Sequence, residues 1–290
     1  MIKTINITLI AFIYSVLTMA MDDAPAYSNG PFVRLAADGD KTALQVARKT
    51  YKNGSLKVTL LSAAHFAQPA FYARHKEILD QASVVLYEGK GLDKKGFLFR
   101  QQPIIKKHEQ VDNFAVLSKA FNLSLQLDSI DYQKSIFILA DYSFDEEIKD
   151  PDALLSEISQ FIEEKNKEYD KKAAEFGLAD GFEYFVDSEI KKTKANVSLE
   201  KLSMELMKAS KNSAEFLQQQ WPEAFEKEYT KRNQIVLQKF AEQIPQLSAQ
   251  ATSHVVIYYG AAHMPYFEQE LGKTYGLQLE SEEWISVFSY

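Results

Sequence analysis

Leu56-Lys57-Val58-Thr59-Leu60-Leu61-Ser62-Ala63-Ala64-His65 and, near the other end of the chain, His254-Val255-Val256-Ile257-Tyr258-Tyr259-Gly260-Ala261-Ala262-His263 decide the fold. Each is an apolar run that ends in a small-residue turn and a histidine, and each is followed by a proline, Pro69 or Pro265, suited to opening a helix. The first run is preceded by Leu44 to Tyr51 and Lys52-Asn53-Gly54-Ser55, which predicts a hairpin whose Asn-Gly pair supplies positive φ angles. Val58-Thr59-Leu60-Leu61 is apolar on both faces and belongs inside a sheet. Phe71, Ile78 and Leu79 give the helix after Pro69 an apolar side, and Ser83 to Gly89 reads as another buried strand. Strand, helix and strand make a βαβ unit. At the far end, Phe267 and Leu271 mark the helix, with strands expected at Gly276 to Leu279 and Trp284 to Phe288. The expectation is an α/β fold: a mixed sheet built from two related βαβ half-units that face each other across one sheet.

Between the halves the pattern is helical. Asp150-Pro151 starts a helix striped by Leu154, Leu155, Ile158, Phe161 and Ile162, and Glu163 to Lys172 is a solvated run of both charge signs. Residues 145–215 are thus expected to be a mainly helical insertion, with the core at 31–144 and 216–290. A long helix is expected from Pro222 to Ile244, striped by Phe225, Tyr229, Val236 and Phe240. Residues 1–20 carry one charge, Lys3, ahead of an apolar run and Thr18-Met19-Ala20, the plan of a secretory signal peptide. The expectation is export to a periplasmic or extracellular space, with residues 21–290 as one domain; an uncleaved anchor is the alternative. No other segment is apolar for long enough to span a bilayer.

Composition narrows the chemistry. The 290 residues contain no cysteine, which removes disulfides, thiolate metal sites and cysteine nucleophiles. A formal charge of −7 argues against nucleic acid as a partner, because phosphate affinity is built from clustered Lys and Arg. The sequence lacks a G-x-S-x-G elbow, a P-loop and a G-x-G-x-x-G turn, and His108-Glu109 is followed by Asp112 where a zincin needs histidine.

Four residues remain as candidates. His65 and His263 each follow the carboxyl end of a buried strand, the edge where α/β sheets bind ligands. Glu88 ends the Val84-Leu86 strand on the face those residues bury, so it must find a cation, a metal or the sheet mouth; the alternative is a solvated loop residue. Arg232 lies on the apolar stripe of its helix, placed to pair with a buried carboxylate or an anionic substrate unless its stem snorkels to solvent. His75 is expected on the side of its helix with Lys76, and His254 at the opposite end of the sheet.

Ser62-Ala63-Ala64-His65, Glu88, Arg232-Asn233 and Gly260-Ala261-Ala262-His263, with Ala140-Asp141-Tyr142-Ser143-Phe144, resemble the TraB/PrgY/GumN/Tiki family, which is related in fold to the erythromycin esterase and ChaN proteins. Ser62 departs from the family's glycine. The resemblance implies a metal-dependent hydrolase acting on peptides or small molecules. His65, Glu88 and His263 would then be the metal or catalytic residues and Arg232 a supporting one, with manganese or cobalt bound by resemblance and zinc as another candidate. It also leaves open a metal-independent His/Glu hydrolase of the esterase type, and a non-enzymatic peptide or haem binder.

Overall fold

The computed structural model describes residues 31–89, 118–142, 193–194, 197–204, 206–207, 218–219, 222–247 and 253–290. The expected signal peptide, His108 and most of the expected helical insertion lie outside the described residues. The chain opens with β1 (Val33–Asp38), β2 (Lys41–Asn53) and β3 (Leu56–Ala63), followed by the two-residue β4 (Phe66–Ala67). Helix α1 (Pro69–Leu79) and β5 (Val84–Tyr87) come next, then β6 (Ser124–Leu125), α2 (Gln126–Ser129) and β7 (Phe137–Leu139). A helix runs from Pro222 to Leu247 as α3 (Pro222–Phe225), a π-helical turn (Glu226–Lys231) and α4 (Arg232–Leu247). β8 (Ser253–Gly260), α5 (Met264–Tyr275) and β9 (Gln278–Ser289) complete it.

The main sheet is mixed α/β in character. β3, β8, β5 and β7 lie side by side and parallel, while β2 pairs antiparallel with β1, β3 and β9. The parallel core explains the apolar runs: β8 is buried along nearly its whole length because both of its faces are covered. His75 in α1 has its ring 5.6 Å from the Tyr258 ring, whereas Phe267 in α5 is 5.6 Å from the Tyr259 ring. Successive strand residues point to opposite faces, so α1 and α5 cover opposite sides of the sheet. Arg232 lies over the Tyr259 ring, which places α4 on the α5 side.

Local chemistry sets the boundaries. The β2–β3 hairpin closes over Gly54-Ser55, with φ +59° at Gly54 and Asn53 paired in the ladder, so the turn lies one residue beyond the Asn-Gly pair expected. Pro69 and Pro265 occupy the first turns of α1 and α5, where a missing N–H costs nothing. Gly276, at φ +62°, ends α5 in the left-handed region that glycine alone adopts freely. The two strands expected after α5 are one continuous strand, β9, because it follows the long β2 from Lys52 back to Ala43.

Two readings of histidine surroundings change. His75 is fully buried rather than on a wet face, with Nδ1 2.8 Å from the Phe71 carbonyl and Nε2 3.1 Å from the Ser62 carbonyl. Burial pushes its pKa down to about 4 against the pull of those two carbonyls. The two Ala-Ala-His turns are also not in step: the ladder sets Ala63, not Ser62, beside Gly260.

Candidate functional site

Because β3, β5, β7 and β8 are parallel, their carboxyl ends open at one edge of the sheet. His65, Glu88, Asp141 and His263 all follow those ends within three residues. The sequence-predicted residues are therefore brought to one place, and Asp141 joins them.

Glu88 is the centre of the arrangement. Its backbone N–H continues the ladder to the Tyr258 carbonyl at 3.0 Å, which directs the side chain to the Tyr259 face. Oε1 accepts from Arg232 Nη2 at 2.6 Å, and Oε2 accepts from the Gly260 N–H at 2.7 Å. Burial is the largest influence and works to raise the Glu88 pKa, but the Arg232 guanidinium, His263, His65 and the Gly260 N–H together outweigh it and hold it at about 2. Glu88 is thus an ionised anchor at neutral pH and not a proton carrier.

Arg232 bridges two acids. Its Nε donates to Asp141 Oδ1 at 2.8 Å and its Nη2 to Asp141 Oδ2 at 2.7 Å, so one planar fork holds Asp141 by two bonds while Nη2 also reaches Glu88. The Asp141 side chain is 2% exposed and that of Arg232 7%, so this is a buried ion-pair triad. Asp141 also accepts from the Gly89 and Tyr142 N–H groups, which fixes the end of β7 to the end of β5. The π-helical turn ends immediately before Arg232, and the π-turn, Arg232 and Asn233 together present Tyr229, Arg232 and Asn233 to the site. Such turns change the register of a helix and occur often at functional positions.

His263 sits at the start of α5 with its Nδ1 2.7 Å from Asn233 Oδ1. An amide oxygen can only accept, so in the neutral imidazole the proton is on Nδ1 and the lone pair on Nε2. Tyr229 stacks on the ring with centroids 5.0 Å apart, and Tyr259 meets it edge-on at 5.1 Å. The imidazole is therefore fixed in both tautomer and plane. Gly260 completes the packing: a Cβ there would be 3.2 Å from Glu88 Oε2 and 3.7 Å from His263 Cδ2. Glycine serves close approach here rather than backbone conformation, since its φ is not in the left-handed region.

His65 is exposed, and its backbone carbonyl accepts from the Gln126 N–H at 2.9 Å. His254 lies at the far end of the sheet as expected, bonded to Thr59 Oγ1. The donor set as arranged suits hydrogen bonding better than metal ligation. Both Glu88 oxygens have partners within 2.7 Å, one of them a guanidinium, and among the described residues no three His, Asp or Glu side chains form a metal-holding group.

Asp141 and Asn233 are the residues at this edge that pattern reading left without a role. Asp141 carried a usable signal, an acid directly after the apolar Phe137-Ile138-Leu139-Ala140 run, as Glu88 follows its own strand. No family model matches the chain, and neither a curated protein nor a solved structure matches it. Among the described residues no helix is long and apolar enough to cross a membrane.

Proposed function

We propose that the chain is a hydrolase of acyl compounds, peptides or esters, in which His263 activates water at the sheet mouth. The observation that carries this reading is the 2.7 Å bond from His263 Nδ1 to the buried Asn233, because it leaves Nε2 as the basic nitrogen. Water attacking a carbonyl carbon gives its proton to Nε2, and ionised Glu88 stabilises the imidazolium that forms. His65, on the exposed side, supplies a proton to the leaving group as the acyl bond breaks. Arg232 keeps Glu88 ionised and in place rather than meeting substrate, since two carboxylates already hold its Nε and Nη2.

A divalent metal held by His65, Glu88 and His263, with manganese, cobalt or zinc as candidates, is the second reading. That His65, Glu88 and His263 all follow strand ends at one edge of the sheet favours it. It requires Glu88 to coordinate beyond its bonds to Arg232 and Gly260. Membership of the TraB/PrgY/GumN/Tiki family, the erythromycin esterase/ChaN-like half-unit plan, and export to a periplasmic or extracellular space belong to the same proposal. The adjacent β3 and β8, each followed by a histidine turn and a proline-opened helix, support it.

The test is hydrolysis of a panel of p-nitrophenyl esters and aminoacyl p-nitroanilides, with and without EDTA, alongside metal analysis of the purified protein. Turnover that survives EDTA supports the His263 mechanism, and turnover abolished by EDTA and restored by manganese supports the metal reading. Ligand binding without turnover on any probe would support a peptide or haem binder of the same fold and defeat both.

A further inference from the structure

The apolar stripe of the helix from Pro222 to Leu247 changes character along its length. Val236 and Phe240 are fully buried, whereas Tyr229 and Phe225, nearer its start, are half-buried. The half-buried part runs directly to the candidate site. Phe225 stacks on Tyr229 with centroids 5.1 Å apart and planes inclined by 20°, and Tyr229 stacks on His263 at 5.0 Å and 17°. Phe267, itself fully buried, lies nearly parallel to the His263 ring at 6.5 Å and 19°. Four near-parallel rings thus lead from the core, through the imidazole, to partly wet aromatic carbon. Tyr266, also half-buried, stands across Tyr229 at 6.4 Å and 74° and turns the row into a corner.

Aromatic carbon placed against a fixed imidazole describes the group that would cover it. Moving these rings out of water is favourable when the covering group is apolar. Rings stacked face on face present their electropositive edges along the row, and an edge is best met by the face of another ring, whereas a cation seeks ring faces. An anion is disfavoured, because Glu88 and Asp141 carry two negative charges against the one positive charge of Arg232. We propose that Phe225, Tyr229 and Tyr266 form a specificity subsite for an uncharged aromatic group carried next to the acyl carbon of the substrate, with Phe225 and Tyr266 as specificity-determining residues. The link to an acyl carbon rests on the hydrolase reading, and reception of the aromatic ring rests on the row alone.

One arm of the test compares p-nitrophenyl phenylacetate with p-nitrophenyl acetate, each rate taken relative to its hydroxide-catalysed one. The unaltered protein should favour the phenylacetate by about 10-fold or more in kcat/KM. Phe225→Ala and Tyr266→Ala, shown to be folded by circular dichroism, should each lower that ratio by about 3-fold or more, and Phe225→Tyr should retain it. The other arm needs no turnover. The ketone 4-phenyl-2-butanone, which cannot be hydrolysed, should bind the unaltered protein more tightly than 2-butanone in NMR titrations and lose that advantage in Phe225→Ala. Ring-selective binding without turnover of either ester would defeat the hydrolase reading and leave the subsite in place. Equal binding of the two ketones by the unaltered protein overturns the subsite, as does a phenylacetate preference that both alanine variants keep in full.

Discussion

Replacing Arg232 with methionine keeps the length of the side chain and removes the charge that joins two buried carboxylates. Glu88 and Asp141 would then be left 13% and 2% exposed without their cation. Breaking a buried pair in this way costs about 3–5 kcal/mol. The pH dependence provides the second signature. Glu88 is held at about 2 in the folded protein against an ordinary 4.5, so its stabilisation is complete above pH 4.5 and is lost as pH falls towards 2. That difference corresponds to about 3 kcal/mol. In Arg232→Met the opposing burial effect prevails, the Glu88 pKa rises above its ordinary value, and acid no longer removes this stabilisation but relieves a buried charge. Urea unfolding of both proteins between pH 7 and pH 2.5 measures the two effects together. Loss of less than about 0.5 kcal/mol at pH 7, the range of ordinary surface substitutions, would refute the reasoning, as would an acid profile parallel to that of the unaltered protein.

Three further outcomes follow from single contacts. Gly260→Ala places a Cβ 3.2 Å from Glu88 Oε2 and 3.7 Å from His263 Cδ2, so denaturant unfolding should show a loss of about 1–3 kcal/mol together with lower turnover; unchanged values would remove the close-approach argument. His263→Ala leaves buried Asn233 Oδ1 without its donor, which should cost about 1–3 kcal/mol, whereas His263→Ala combined with Asn233→Leu should recover part of that loss in thermal scans. His75, lowered from 6.5 to about 4, contributes stability that is complete above pH 6.5 and lost as pH falls through 4; His75→Phe should flatten the unfolding profile in that window, and an unaltered slope would assign it elsewhere.

The parts of this fold that were legible in the sequence are those dictated by burial on both faces of a strand. Val58 to Leu61, Val255 to Tyr259 and Val84 to Tyr87 have no polar face, so they predict neighbouring central strands, and they are adjacent in the sheet. Pro69 and Pro265 mark the helices for an equally local reason. Arg232 was legible because a charge on an apolar stripe must find a partner. What sequence spacing does not reveal is which partner: Asp141 is 91 residues away, and only the parallel placement of β7 beside β5 brings it to the guanidinium. Register was also hidden. The matched Ala-Ala-His turns suggest that Ser62 and Gly260 are equivalent, yet the ladder offsets them by one residue. This fits serine in the first turn and glycine in the second, where an added Cβ would come within 3.2 Å of Glu88 Oε2. Periodicity placed His75 wrongly because a polar ring can be buried when backbone carbonyls receive it.

The central claim is that a fixed imidazole beside an ionised carboxylate performs hydrolysis at this sheet mouth. Its most direct test compares turnover of the ester and anilide panel by the unaltered protein and by His263→Gln, both shown to be folded and assayed with and without EDTA. A loss of about 100-fold or more in kcat/KM on His263→Gln, at the scale of a general base and insensitive to EDTA in the unaltered protein, is the predicted result. Equal turnover in the two proteins would contradict it.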